Sequence, residues 1–282
     1  MLDVSEKKHL SELKFQDFIA RTIEKTRTFS PHSENYSLVE NTEKYLEKLE
    51  KAHATLSSLS KKKKLASKGV EWFLDNYFIL QEAVELIRDD LPQDYFGKLP
   101  AVSENETFPR IYYLARVLIR YYQVELVQND LNDFLNAYQE AVPLKMSELW
   151  ALPLMLRLVL IEVVSSRIYD LIKDEDGNRI TEELKVGDLD SDEVIARALR
   201  TLLLFDRVDW KDFFEAHSIV ERRLQKDPAG IYASMDFDTR DEYRKKIEAF
   251  SQKSDQDEIQ IAHSAVQLAG NAQEEDSKAA HV

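Results

Sequence analysis

Few of the residue types that do chemistry are spaced here so that they could act together. One Glu-x-x-His occurs, from Glu50 to His53, a spacing that puts two metal ligands on one helix face. A di-iron bundle needs two such pairs and two further inward glutamates. The other histidines, at 9, 32, 217, 263 and 281, supply neither a second pair nor a His-x-x-x-His. His53 also falls between Leu49 and Leu56 on an apolar stripe, and His217 keeps register with Trp210, Phe213, Phe214 and Val220. Both are expected to be packed rather than ligating. Asp174-x-Asp176-Gly177 resembles a calcium loop, but counted from Asp174 its glycine is fourth and its twelfth residue is Lys185. A calcium loop needs glycine sixth and a bidentate glutamate twelfth.

Other chemistries fail on composition. The six glycines, at 69, 97, 177, 187, 230 and 270, are too scattered for a phosphate-cradling turn, and there is no Gly-x-Ser-x-Gly. With no cysteine, disulfides, thiolate zinc sites and a cysteine nucleophile are all excluded. No catalytic, cofactor-binding or metal-binding residue is therefore expected. Arg157 and Glu162 are of more interest, because they lie in a run of Leu, Met, Val and Ile. Charges in such surroundings must be paired or reach a polar cavity. Pairing with another helix is the expectation, and a ligand site is the alternative. The 12 tyrosines and 13 phenylalanines could stack on sugars, but at helical spacing they read as core.

The elements that would position these residues are helices, because apolar residues recur every three or four positions along almost every segment. Phe15, Phe18, Ile19, Thr22 and Ile23 mark a first helix. Leu38, Thr42, Tyr45, Leu46, Leu49, Ala52, His53, Leu56 and Leu59 mark a second. Together they predict an antiparallel hairpin over residues 1–64, ending in the solvated run Lys61 to Lys64. From Gly69 the pattern doubles. Val70, Phe73, Leu74, Tyr77, Val84, Ile87 and Leu91 form one stripe, and Trp72, Ile79, Ala83 and Leu86 a second, as in a helix inside a domain. Further helices are expected near 110–124 and 131–141, and from Ser147 to about 173 with Pro153 bending it. A polar loop should follow to 190, then helices at 191–205 and 210–224. Asp227-Pro228 reads as a helix start, and Thr239 to Glu242 as a capping box opening a helix to about 252. A last helix is expected at 255–269, with a frayed segment at 273–278. The expectation is an all-α fold: a hairpin over 1–64, an irregular bundle over 69–270 and a flexible tail over 271–282.

With 38 Lys and Arg against 52 Asp and Glu, the formal charge is −14. That disfavours a nucleic-acid partner, which needs clustered positive charge. The most apolar stretch, 149–164, is shorter than the roughly 20 residues a membrane span needs and carries Arg157 and Glu162. No span and no export signal are expected, which points to a soluble, cytoplasmic chain.

Several motifs, in order, resemble the cyclic β-1,2-glucan synthases of glycosyltransferase family 84. They are Glu71-Trp-Phe-Leu-Asp-Asn-Tyr77, Ile87-Arg-Asp-Asp-Leu-Pro92, Pro109-Arg-Ile-Tyr112 and Glu148-Leu-Trp-Ala-Leu-Pro153 with Met155-Leu-Arg-Leu158 and Ile161-Glu162. Asp227-Pro-Ala-Gly230, Tyr232, Met235-Asp-Phe-Asp-Thr-Arg240 and Tyr243-Arg244 continue the set, from about residue 69 to the end. The resemblance implies the N-terminal region of a very large inner-membrane enzyme that uses UDP-glucose and a divalent cation elsewhere in its chain. This segment lacks the acidic and Gln-x-x-Arg-Trp motifs of such transferases, so it is expected to be catalytically silent. Its implied partner is the membrane-embedded transferase domain of the same chain, on the cytoplasmic side of a bacterial inner membrane. The implied role is scaffold or regulator, with sugar contact as a further possibility. Trp72, Asp75, Asn76, Arg110, Trp150, Arg157, Glu162, Asp236, Arg240 and Arg244 are the structural or interface candidates that the motifs single out. The rival expectation is an independent helical adaptor, for which no 34–47-residue repeat is found.

Overall fold

The periodicity is realised as helices. A computed structural model describes residues 4–28, 37–60, 67–90, 95, 99–102, 108–171 and 189–280. Its order is α1 (Val4–Thr26), α2 (Ser37–Ser60), α3 (Lys68–Asp75), α4 (Tyr77–Asp90), α5 (Arg110–Tyr121), α6 (Gln128–Gln139) and α7 (Met146–Leu171). Then come α8 (Ser191–Phe205), α9 (Trp210–His217), α10 (Ile219–Leu224), α11 (Ile231–Ser234), α12 (Phe237–Ser251) and α13 (Glu258–Ala280). The protein is all-α. Among the described residues the extended pairing is a lone antiparallel bridge between Ala101 and Pro109. The lysine run 61–64, Asp174, Asp176, Gly177, Lys185, His32 and His281 lie outside the described residues.

The chain divides into two compact units. One comprises Met1–Val142 with Ala151–Val208, the other Pro143–Trp150 with Asp209–Val282. The core of the first is α7, where Ala151 to Ser165 are all buried. By length and composition Met146–Tyr169 could cross a membrane, so the expectation that this stretch is too short is corrected. Its setting is that of a core helix, since 89% of that window is buried inside the protein.

The first two helices are seated on elements that follow them. α1 packs on α5 and α6, where Phe18 stacks on Tyr121 with centroids 3.8 Å apart and the Thr26 and Tyr138 hydroxyls share a 2.7 Å hydrogen bond. α2 turns its stripe of Leu46, Leu49, Ala52 and Leu56 to α3 and α4. Its His53 stacks on Tyr77 at 4.1 Å, the packed role foreseen for it.

Two long helices expected from the pattern are each broken by one residue. Asn76 interrupts α3–α4, with its backbone and side-chain amides both donating to the Trp72 carbonyl. Ser218 divides α9 from α10, and its hydroxyl accepts the Glu221 N–H at 3.1 Å as an N-cap. A single capped residue hardly disturbs a 3.6-residue period. After α5 the chain reverses through Gln123 and Val124, both at positive φ (50° and 70°). That is costly for a β-branched residue. Val124 is held there by its N–H to Ile119 and by the Thr201 hydroxyl donating to its carbonyl at 2.6 Å.

Helix starts in the second unit differ from expectation by a few residues. Asp227-Pro228-Ala229-Gly230 forms a turn rather than a first helical turn, with Gly230 at φ 66°. The Asp227 carboxylate accepts from the N–H groups of Ala229, Ile231 and Tyr232. The cap of α12 is Asp236, which accepts the Thr239 N–H at 2.9 Å, not Thr239 with Glu242. α13 is helical to Ala280, past the segment expected to fray.

Close approach of α3 to α8 requires Gly69. A Cβ there would lie 2.6 Å from Asp192 Oδ1 and 2.7 Å from Asp192 Cα, and Asp192 also accepts a hydrogen bond from Ser67. At Gly270 the nearest atom, on Pro228, would be 3.6 Å away, an ordinary contact. Gly69→Ala is expected to cost about 1–3 kcal/mol in urea unfolding. Gly270→Ala, inside a helix, is expected to gain about 0.5–1 kcal/mol.

Candidate functional site

Polar groups gather inside each unit. In the first, Glu162 of α7 accepts the Tyr112 hydroxyl of α5 at 2.8 Å and lies 3.5 Å from the Arg116 guanidinium. Burial, reinforced by the Glu162 charge, drives the Tyr112 hydroxyl far above its ordinary pKa. The same two causes push Tyr45 up to about 12. These phenols stay protonated, and Tyr112 is the donor to Glu162. Five residues earlier on α7, Arg157 reaches Asp206 at the C-terminal end of α8, with N···O 3.0 Å. The two inward charges therefore have separate partners, and they do not converge on one cavity.

The second unit holds a larger assembly. α12 places Arg240 and Arg244 one turn apart on one face. Arg244 Nη1 donates to Glu215 at 3.0 Å and to Glu221 at 2.8 Å, while Nη2 donates to the Phe237 carbonyl at 3.2 Å. Arg240 Nη2 donates to the other oxygen of Glu215 at 2.7 Å. Glu221 also accepts from the Tyr232 hydroxyl at 2.6 Å and from Gln225 at 2.7 Å. The Arg244 guanidinium lies 4.6 Å from the Phe237 ring centre and 5.3 Å from that of Phe214, and Trp150 stacks on Phe214 at 4.3 Å. Burial pulls the Arg244 pKa down, but hydrogen bonds to Glu221 and Glu215 more than offset it. Burial and the bond to Glu221 raise that of Tyr232. Arg244 Nε also donates to Asp241 at 3.4 Å, and Asp241 pairs with Lys245 at 3.0 Å, so three carboxylates face three cations.

The structure thus brings together three of the candidate residues. Trp150 packs on Phe214, and Arg240 and Arg244 supply the cations, while Asp236 caps α12 from an exposed position. It does not gather the others. Arg110 is fully buried at the head of α5, Arg157 and Glu162 have the partners given above, and Asn76 ends α3. Trp72 and Asp75 are exposed. Glu215, Glu221 and Tyr232 were not singled out from the sequence as partners in a cluster. The signal for them was the Arg240–Arg244 spacing, since two cations on one buried helix face demand anions opposite. His217 sits against Phe213 at 4.6 Å, and burial, then the Arg222 charge, lowers its pKa. Among the described residues no three His, Asp or Glu side chains converge to hold a metal ion.

Two of the buried arginines, Arg157 and Arg244, predict different costs. Arg244 is 2% exposed and faces Glu221, itself 3% exposed, so Arg244→Met strands a buried carboxylate and should cost about 3–5 kcal/mol. Asp206 is 42% exposed and can be rehydrated, so Arg157→Met should cost about 1 kcal/mol or less. Denaturant melts of the two variants check the order.

No family model matches the sequence. A curated protein does resemble it: the cyclic β-(1,2)-glucan synthase NdvB of Rhizobium meliloti is 25% identical over an alignment of 274 positions. The alignment covers 72% of this chain and 10% of that protein, so the chain spans about a tenth of the relative's length and is similar to one segment of a glucan synthase.

Proposed function

We propose that this chain is a non-catalytic helical segment of a glucan-synthase-type glycosyltransferase, serving to hold or regulate a transferase domain that makes cyclic β-1,2-glucan from UDP-glucose. One observation carries the reading. The motif residues Arg240 and Arg244, with Glu215 and Glu221, form an internal network whose charges answer one another, and Trp150 packs beside it on Phe214. Residues used in this way set a shape. They do not present a nucleophile, a general acid or a phosphate-binding cation to a substrate. In this reading UDP-glucose and its divalent cation act elsewhere in a longer polypeptide on the cytoplasmic side of a membrane, and the partner is the membrane-embedded transferase domain.

The outer face of α3 and α4 favours a second reading, an independent protein-interaction module. Trp72, Phe78 and Leu86 are all exposed there, interspersed with exposed Glu71, Asp75, Glu82, Glu85, Asp89 and Asp90. Either reading assigns this face to contact with a cationic, partly apolar surface. The native reading frame separates them. A frame continuing past Val282 into transferase motifs supports the synthase segment, and a stop codon there supports the module.

Two further outcomes are expected. The purified chain, given UDP-glucose and Mg²⁺ or Mn²⁺, should release no UDP in a coupled assay; turnover that survives further purification contradicts the reading. Trp72→Ala with Phe78→Ala should change stability by no more than about 1 kcal/mol, since both side chains are half in water. A larger loss in thermal melts would show that they are packed, and would remove this face as a contact surface.

A further inference from the structure

Glu258 opens α13, yet it is buried (6% exposed). Its carboxylate accepts the N–H of Met146, the first residue of α7, at 2.9 Å. Beside it the buried Glu148 accepts the Lys145 N–H at 3.0 Å, so two carboxyl groups serve one helix N-terminus. Glu248 of α12 bears on the same carboxyl group. The charged neighbours of Glu258 are thus Lys145 and Glu148 from the α7 start and Glu248 from α12. α10, the other helix packed on α13, commits its Glu221 to Arg244 and Tyr232.

A helix N-terminus favours an anion, but burial opposes one. Burial is the larger effect here. It raises the Glu258 pKa to about 7, with the Met146 hydrogen bond and Lys145 pulling it down and the two other glutamates pushing it up. A neutral carboxyl group keeps an oxygen that can accept the Met146 N–H, so protonation removes the charge without removing the cap.

We propose that the seating of the first turn of α13 on the N-terminus of α7 is a proton-dependent latch, held while Glu258 carries its proton and loosened when that buried carboxyl group ionises. The folded group binds its proton more tightly than the unfolded one. The stability it contributes is therefore full below about pH 4.5, falls as pH rises, and is lost by about pH 7. This inference stands apart from the proposed function, since it concerns only how one unit closes on itself.

Amide hydrogen exchange at Met146 and Ile261 in the full 282-residue chain tests it, with rates corrected for intrinsic exchange. Opening should be about thirtyfold more frequent at pH 7 than at pH 5 in the wild type. In Glu258→Gln, which keeps the acceptor oxygen and cannot ionise, it should be unchanged between the two. A flat wild-type profile, or the same rise in Glu258→Gln, overturns the proposal. If that variant does not fold, a ¹³C carboxyl titration of the wild type decides: a Glu258 midpoint near 7 supports the latch, and one near 4.5 overturns it.

Discussion

A charge taken out of water must meet an opposite charge or a hydrogen bond inside, and that constraint organises the interior of this protein. Arg244 shows it most fully. Its guanidinium satisfies Glu215, Glu221 and the Phe237 carbonyl while its faces lie against two aromatic rings. Glu221 is in turn completed by Tyr232 and Gln225. Removing Arg244 leaves Glu221, itself 3% exposed, without its buried cation. Helices α9 to α12 carry at least one member each, so their mutual placement within this unit depends on the network.

The ends of the helices impose a second constraint. The second unit includes three short helices, α9, α10 and α11, before the longer α12, and each leaves N–H groups that need an acceptor. Asp209, Ser218, Asp227 and Asp236 provide them in turn, within nearly thirty residues of sequence. Such capping makes a six-residue helix like α10 tolerable and aims α12 so that both arginines face inward.

Much of this was legible in the residues. The 3.6-residue period identified the helices, and the α8 bounds, Ser191 and Phe205, were read correctly because Asp190 caps one end and the apolar stripe stops at the other. The breaks at Asn76 and Ser218 were not, because one irregular residue leaves the period almost intact. α7 was legible at both ends: expected from Ser147 to about 173, it is helical over Met146–Leu171. At the site, the cations were legible and their anions were not. Glu215 and Glu221 lie six residues apart across a helix break, where their spacing resembles an ordinary solvated face. Glu258 was hidden for a related reason. An acidic residue in a first turn normally answers its own helix dipole, whereas this one caps a different helix.

The chain is similar to one segment of a glucan synthase, and the buried charges of its second unit satisfy one another. The most direct test of that account is a double-mutant cycle on Arg244→Met and Glu221→Gln, followed by chemical denaturation. If the network is structural, the two changes are strongly non-additive, with a coupling of about 2 kcal/mol or more. Additive losses within about 0.5 kcal/mol would contradict it, because the two groups would then be answering something other than each other.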